Sequence, residues 1–462
     1  MIFSSVTFLF VFLPLFLALY LLLPWRNAVA LIFSLFFYAW GEGIYVLLLL
    51  FTVFANYFFG RAITRVASRK LALGIGVGLN LCLLLYFKYF GFLVNDVLAL
   101  QASNIDTPHL PLGISFFIFQ SISYLVDVYR KDAREVESFS DIALYISMFP
   151  QLIAGPIVRY ATVADAIKNR HVSIADVREG VALFVLGLSQ KVLIANNVAE
   201  VADGVYAMNI TSVDAITAWV GSLAYTLQIY FDFCGYSLMA MGIGRLMGFH
   251  FPRNFNYPYV STSITEFWRR WHMSLSTWFR DYLYIPLGGN RKGPVRTYLN
   301  LLIVFFLCGL WHGASWTFVV WGIFHGLALI IERAGLSGFL AKLSAPIAHG
   351  YTLLMVIIGW VLFRAESFEQ AKHFIITMFT PHELEFSTGI SQLVTNENLA
   401  AMVFGIIFSM PILPWAHNRL STNSIWEKTG DAVSISVLAM LFFACTIYIM
   451  AGTYNPFIYF RF

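Results

Sequence analysis

Apolar stretches long enough to enter a lipid bilayer follow one another along nearly the whole 462-residue chain. Crossing about 30 Å of hydrocarbon takes about 20 mainly apolar residues. Charged residues make up only 12% of the sequence, whereas about 25% is usual for a soluble domain. The sequence therefore predicts an all-α, polytopic integral membrane protein. The predicted spans lie near residues 3–23, 28–40, 43–60, 71–90, 111–128, 141–158, 180–199, 215–233, 236–250, 299–331, 351–363, 400–415 and 433–451.

Basic residues in the early loops predict the orientation. The connections 41–43 and 91–110 contain no Lys or Arg. Loops rich in Lys and Arg stay in the cytoplasm, so we expect Met1 on the extracytoplasmic side. The basic positions in the alternate loops are Arg26, Arg61, Arg65, Arg69, Lys70, Arg130, Lys131 and Arg134.

Composition excludes two other classes of protein. The net charge of +4 is too small for a nucleic-acid surface, so no nucleic-acid partner is expected. The cysteines lie inside apolar runs without metal-ligand spacing, which predicts small buried side chains and no bound metal or redox cofactor. These cysteines are Cys82, Cys234, Cys308 and Cys445.

Two polar segments interrupt the apolar pattern. Residues 251–298 are rich in Trp, Tyr, Arg and Pro, and such backbone at membrane depth must be buried in protein or line a cavity. We expect a re-entrant or interfacial element there, and a cytoplasmic surface helix over 162–179. The chain is expected to form one membrane-embedded domain over 1–462, with N-terminal helices in 1–250, a central segment 251–331 and C-terminal helices in 332–462.

The apolar run 299–331 is too long for one crossing, because a helix of that length would extend about 50 Å. It should tilt or break, and Gly309, Gly313 and Gly322 are candidate break points. His312 lies beside them. An ionisable residue at membrane depth suggests a functional site. The alternative is a structural histidine that caps a broken helix.

A second cluster contains His272 with three arginines and two acids. Such residues cannot face lipid, so they pair with each other or contact solvent or a ligand. Arginines among aromatic side chains suit a phosphate-bearing ligand. In the alternative, Arg269 and Arg280 simply pair with Glu266 and Asp281.

Nine short motifs extend over most of the chain. Upstream are PLGISFF (111–117), YLVDVYR (124–130), FPQLIAGP (149–156) and YFDF (230–233). The central motifs are NFNYPY (254–259), EFWRRWH (266–272), DYLYIPLGGNR (281–291), GLWHGA (309–314) and WGIFHG (321–326). Together they resemble the membrane-bound O-acyltransferase family, in the bacterial branch that acetylates polysaccharides. Cys234 is a small departure, since relatives often carry Ser there.

The resemblance implies a fold of about 11 to 13 membrane-associated helices, some re-entrant, around a central tunnel. It also implies that His312 is catalytic and that His272 is its upstream polar partner. Transfer from a thioester needs a general base with a pKa near 7 and a donor for the developing oxyanion. Imidazole meets the first requirement. We therefore expect His312 to act as the base and His272 to supply hydrogen-bonding or electrostatic support.

The same resemblance implies acetyl-CoA as the donor substrate, with no other cofactor. It further implies a bacterial inner-membrane location, an extracytoplasmic partner of the SGNH-hydrolase type, and a polysaccharide acceptor such as alginate or peptidoglycan. Candidate residues for donor binding are Trp268, Arg269, Arg270, Trp271, Arg280, Arg291 and Trp311.

Two further residues have competing interpretations. In a continuous helix His325 would lie about 140° around from His312, so a structural role is expected. The aromatic C-terminal run that contains Tyr459 suits an interfacial anchor. It also resembles the tyrosine-containing motif of surface-polymer acylation systems, and on that analogy Tyr459 relays the acyl group.

Two alternatives to an acetyltransferase stay open on the sequence. A channel or transporter would also combine many helices with a buried histidine. A D-alanyl or longer-chain acyltransferase would share the same motifs.

Overall fold

The computed structural model describes residues 1–98, 107–380, 390, 393–420, 424–452 and 454–458. These residues are mainly helical and form no β-strand, which confirms the predicted all-α class. Seven helical segments are long and apolar enough to cross a bilayer, which agrees with a polytopic protein. They are Arg26–Arg65, Arg69–Val97, Ile174–Tyr206, Gly293–His312, Trp316–Leu340, Ala345–Arg364 and Thr429–Met450.

The chain divides into two compact units. The first contains Met1–Phe184 and Tyr236–Arg253, and the second contains Val185–Gly235 and the described residues from Asn254 onward. Two helices pass from one unit to the other, Ile174–Ser189 and Ala215–Leu246.

The first unit begins with a π-helical turn, Phe8–Phe12, and two further π-helical turns, Leu85–Tyr89 and Leu93–Val97, follow the fourth long helix. Its α-helices are Leu13–Leu22, Arg26–Glu42, Val46–Arg65, Arg69–Leu84, Phe90–Phe92, Ile114–Arg130, Phe139–Ser147, Phe149–Leu152 and Tyr160–Lys168.

Aromatic side chains form much of the buried core of this unit. The Phe149 ring lies 5.1 Å from Phe16, 5.3 Å from Phe12 and 5.5 Å from Phe37, measured between centroids. Aromatic pairs at such separations add to the energy of apolar burial. The ring cluster therefore ties the first two long helices to the FPQL turn.

In the second unit the π-helical turn Gln190–Ala195 continues the helix that begins at Ile174, and another π-helical turn, Arg280–Tyr284, follows two short helices. The remaining α-helices are Asn196–Tyr206, Ile264–Arg270, Met273–Phe279, Gly293–His312, Trp316–Ile331, Ser337–Leu340, Ala345–Arg364, Phe368–Phe379, Asn396–Phe408, Ile412–Leu420 and Ser424–Met450.

Several predicted span boundaries are wrong. The expected spans 215–233 and 236–250 form one helix, Ala215–Leu246, because Gly235 is tolerated inside a helix when it packs closely against a neighbour. The expected span 141–158 is interrupted at Met148 and is non-helical beyond Leu152, because Pro150 lies at the start of a new short helix and Pro156 lies in the segment that follows. The expected surface helix 162–179 is two helices separated by residues 169–173.

Two asparagines join neighbouring apolar helices of the first unit. The amide of Asn56 donates to Asn80 Oδ1 over 3.1 Å, and the amide of Asn80 donates to Asn56 Oδ1 over 2.9 Å. Both side chains are buried. Reciprocal amide bonds of this kind hold membrane helices together where the hydrophobic effect does not.

We expect Asn80→Leu to lower the free energy of unfolding by about 1 kcal/mol, because it leaves the buried Asn56 Oδ1 without its donor. The double variant Asn56→Leu with Asn80→Leu should recover part of that loss. Denaturant titration in detergent measures both. Additive losses in the double variant would show that the two amides do not stabilise each other.

Candidate functional site

The predicted break in the run 299–331 occurs at Gly313. One helix ends at His312 and the next begins at Trp316. A Cβ on Gly313 would lie 2.2 Å from the ring of Phe318, so this turn needs glycine. The run therefore folds as two helices joined by a short turn, with His312 at the C-terminus of the first.

Gly309 and Gly322 lie inside these helices and do not break them. A Cβ on Gly309 would be 2.3 Å from the Phe318 carbonyl oxygen, and a Cβ on Gly322 would be 2.3 Å from the Phe305 carbonyl oxygen. Small residues allow backbones to approach in this way. The two glycines thus let the helices pack backbone to backbone beneath His312.

His312 borders a small cavity of about 20 Å³, which has room for about one water molecule. The imidazole is 7% exposed, and its ring centroid lies 5.0 Å from Trp321 and 5.2 Å from Phe363. Apart from His312, the wall is apolar or aromatic. The lining residues are Ile229, Phe233, Trp271, His312, Trp321, Trp360, Phe363 and Ile458.

His272 lies one layer behind this wall. Its ring centroid is 4.6 Å from Phe233, which lines the cavity, and 6.1 Å from Trp311. Its backbone adopts φ 42°, a left-handed conformation that is uncommon outside glycine. The structure therefore brings the two predicted histidines into one aromatic cluster, in which Trp311 contacts both rings.

A short polar network orients the His272 ring. His272 Nδ1 lies 3.0 Å from Asn254 Oδ1, which can only accept, so this nitrogen carries the proton. Ser274 also donates to that oxygen through its hydroxyl, over 2.9 Å. Nε2 of His272 is then an acceptor, and it is buried without a hydrogen-bond partner among the described residues.

Burial lowers the pKa of His272 from 6.5 to about 3. The imidazole is therefore neutral at pH 7. Of the two roles expected for His272, this favours a neutral hydrogen-bonding group over a positive charge.

The two central tryptophans, Trp268 and Trp271, have different surroundings. Trp271 lines the cavity, whereas Trp268 donates its indole N–H to His325 Nδ1 over 3.3 Å. The ring centroid of His325 lies 5.1 Å from that of Trp321, which also contacts His312. The rotation expected from one continuous helix is wrong because the helix breaks at Gly313. His325 is buried and does not line the cavity.

None of the four candidate arginines lines the described wall of the cavity. Arg270 pairs with Glu266 over 2.8 Å, and Arg280 pairs with Asp281 over 2.6 Å. The alternative pairing of Arg269 with Glu266 is wrong, because Arg270, four residues beyond Glu266 on the same helix face, takes that carboxylate and Arg269 is exposed. Arg291 is also exposed.

Tyr459 lies outside the described residues. Its neighbour Ile458 is 3% exposed and lines the cavity together with His312.

Sequence reasoning missed a buried ion pair next to this segment. Lys191 Nζ lies 2.7 Å from Asp232 Oδ1, and the two side chains are 3% and 2% exposed. The available signal was one lysine in the apolar run 180–199 and one aspartate in the run 215–233. Isolated charges of opposite sign at membrane depth are expected to pair.

The sequence model of the membrane-bound O-acyltransferase family matches residues 68–344, which is more than half of the chain. The chain belongs to this family. It is 41% identical over its full length, and over the full length of the relative, to a probable alginate O-acetylase, AlgI, of Pseudomonas putida. It is 34% identical to a peptidoglycan O-acetyltransferase of Helicobacter pylori, over 100% of the chain and 98% of the relative. A teichoic acid D-alanyltransferase of Bacillus subtilis is 30% identical over 53% of the chain and 67% of the relative.

Membership of the O-acyltransferase family confirms the resemblance and identifies the protein as an acyltransferase in a membrane. It decides against the channel or transporter alternative. An O-acyltransferase requires an acyl donor and an acceptor. Among the described residues, no group of three or more His, Cys, Asp or Glu side chains could hold a metal ion.

Protonation of His272 should make this O-acyltransferase less stable in acid. Below pH 6.5 the unfolded chain binds a proton at this position, and the folded chain does not bind it until about pH 3. The free energy of unfolding therefore rises with pH across this window, by up to about 1.4 kcal/mol per pH unit.

The variant His272→Gln should flatten this dependence, measured as thermal unfolding in detergent between about pH 5 and pH 7. His171→Gln is the control, because the His171 side chain is exposed. Parallel curves for the parent protein and His272→Gln would contradict a neutral, buried His272.

Proposed function

We propose that this acyltransferase moves acetyl groups from cytoplasmic acetyl-CoA across the membrane for O-acetylation of an exported polysaccharide. The observation that carries the proposal is the cavity that His312 shares with Ile458, the residue directly before Tyr459. It offers a base and a chain segment leading to a nucleophile in one water-poor site. Relatives named for alginate and peptidoglycan O-acetylation support a polysaccharide acceptor.

In the proposed first step, the Tyr459 hydroxyl oxygen attacks the thioester carbonyl carbon of acetyl-CoA. His312 takes the phenolic proton, the carbon–sulfur bond breaks, and the leaving thiolate receives that proton from the imidazolium. The acetyl group is then an ester of Tyr459. A phenol has a pKa near 10, so it needs such a base at neutral pH.

The position of His312 at a helix C-terminus supports this role. The negative end of the helix dipole stabilises the positive charge that imidazole gains when it takes a proton. The neutral His272 is assigned a supporting role through its hydrogen-bonded ring and the adjacent Trp311. It is not assigned a charge.

The second step needs an acceptor outside the bilayer. We assign it to an extracytoplasmic partner of the SGNH-hydrolase type, whose hydroxyl attacks the tyrosyl ester, takes the acetyl group and returns a proton to the phenolate. The partner then acetylates a sugar hydroxyl. This assignment, the inner-membrane location and an extracytoplasmic Met1 rest on the family resemblance and on the basic early loops.

The candidate donor-binding residues have different supporting evidence. Arg269 and Arg291 are exposed and available to a diphosphate, whereas Arg270 and Arg280 are already paired with carboxylates. Trp271 and Trp311 lie at or beside the cavity, and Trp268 is bonded to His325. We therefore assign phosphate contacts first to Arg269 and Arg291.

The cavity wall favours acetyl over D-alanyl. A D-alanyl group carries an ammonium, and no acidic side chain is among the described residues of the wall. An unpaired charge in such surroundings is costly, whereas a methyl group suits them. The match to D-alanyltransferases also covers only about half of the chain.

We expect His312→Ala to lower polymer acetylation by at least about a hundredfold, since general base catalysis contributes that much. Thiol release from acetyl-CoA by purified protein and its partner measures the step. His325→Gln is the matched control, because His325 is equally buried but lies outside the cavity. Full activity in folded His312→Ala would overturn the assignment.

Tyr459→Phe should abolish acetyl transfer while acetyl-CoA binding is retained, because only the attacking oxygen is removed. Intact mass of the C-terminal peptide, after trapping without a partner, should show an acetyl group on the parent protein and none on the variant. Tyr86→Phe controls for loss of a tyrosine hydroxyl, because Tyr86 is exposed and lies outside the C-terminal segment. An unacetylated parent peptide under trapping would contradict the relay.

A further inference from the structure

The C-terminal segment Tyr454–Ile458 is held by polar contacts in the second unit. The hydroxyl of Tyr454 donates to Asp203 Oδ2 over 2.8 Å, and the amide of Asn196 donates to Asn455 Oδ1 over 3.2 Å. The side chains of Phe457 and Ile458 are buried. This segment, called the C-terminal strap below, therefore inserts into the protein rather than lying along its surface.

The buried ion pair contacts the backbone of the strap. Lys191 Nζ donates to the carbonyl oxygen of Pro456, and Asp232 Oδ2 accepts from the N–H of Ile458 over 2.8 Å. The Lys191–Asp232 contact uses the other carboxylate oxygen. Each charged group thus forms an ion pair with the other and one hydrogen bond to the strap.

The two backbone contacts fix how far the strap extends as well as where it lies. A lysine can only donate and an ionised aspartate can only accept, so the pair matches a carbonyl followed two residues later by an N–H. Because both bonds go to main-chain atoms, they hold the strap independently of its side chains. They define how far the chain advances toward the cavity.

Local backbone features bring the two charges together. Lys191 lies in the π-helical turn Gln190–Ala195, and such turns inside helices often occur at functional sites. A Cβ on Gly235 would lie 2.6 Å from the Gly187 carbonyl oxygen and 3.1 Å from the Lys191 nitrogen. Glycine at 235 therefore permits the close approach that puts Asp232 beside Lys191.

We propose that Lys191 and Asp232 are positioning residues that clamp the strap backbone and thereby set the position of the residue after Ile458 relative to His312. The role rests on the proposed function, in which that residue accepts the acetyl group. Displacement of a reacting group by about 1 Å can cost a hundredfold in rate. Removal of the clamp should therefore slow transfer without changing the chemistry at His312.

Replacing the ion pair with apolar residues distinguishes a role in holding the strap from a role in protein stability. Buried ion pairs contribute little net stability, and well-packed apolar residues of similar size often replace them without loss. The double variant Lys191→Met with Asp232→Leu should therefore stay folded, with an unchanged or higher melting temperature, while the strap loses both backbone contacts. Asp232→Asn is the second variant, since it keeps an acceptor for Ile458 but removes the charge that holds Lys191.

Docking of the strap is measured by thiol labelling of Ile458→Cys with a maleimide, counted by intact mass. Cys82 is exposed, so its predicted burial is wrong, and a Cys82→Ser background removes this thiol; the other cysteines are buried. We expect slow labelling with the clamp intact and at least about tenfold faster labelling in the double variant, because the strap then opens locally. Asp232→Asn should fall between the two.

Glu332→Gln is the matched control for the loss of a buried carboxylate. Glu332 is buried in the same unit and accepts from the N–H groups of Ile264 and Thr265, over 2.6 and 2.9 Å, without contacting the strap. Labelling of Ile458→Cys should stay slow in this variant. Unchanged labelling in the folded double variant, or equally fast labelling with Glu332→Gln, would overturn the clamp.

Kinetics of the double variant with native Ile458 test the consequence for transfer. We expect kcat for acetyl transfer to fall at least about tenfold, with KM for acetyl-CoA unchanged. Faster labelling with unchanged kcat would show that the strap is clamped but that its position does not control transfer. That outcome overturns the positioning role. Failure of the relay itself would appear separately, as full activity in Tyr459→Phe.

Discussion

Polar groups in a membrane-embedded chain must find partners within the protein, because lipid offers none. The second unit depends on this constraint at its centre. Lys191 and Asp232 neutralise each other, and each also forms a hydrogen bond with the strap backbone. A segment that would otherwise expose unpaired carbonyl and N–H groups is thereby held inside the protein. One ion pair thus provides partners for two buried charges and for polar backbone groups of a non-helical segment.

Aromatic side chains of the second unit line the cavity and exclude water from it. The Trp321 ring contacts both His312 and His325, with ring centroids 5.0 and 5.1 Å away, and Trp360 and Phe363 also line the cavity. A cavity of about 20 Å³ excludes all but about one water molecule. Exclusion of water strengthens electrostatic interactions and protects an activated acyl group from hydrolysis. The high aromatic content, 17% of the chain, therefore serves more than the membrane interface.

The two histidines differ because their surroundings differ. His272 is fixed by Asn254 and is neutral, since burial without a counter-charge lowers its pKa. His312 ends a helix at the cavity and lies where an acceptor could reach it. Sequence spacing identified both residues but could not assign these environments. They depend on which side chains from distant helices close around each ring.

The sequence by itself determined the membrane class, the helical fold and the family, and it limited the helix break to three candidate glycines, because hydrophobic run length, short motifs and glycine placement are local properties. The structure selects Gly313 among the three. Only the tertiary structure decided that Trp268 contacts His325 and that Lys191 meets Asp232 and the strap. These contacts follow from helix rotation and from the close approach at Gly235. Apolar runs that lack a strong periodic stripe carry little information about either property.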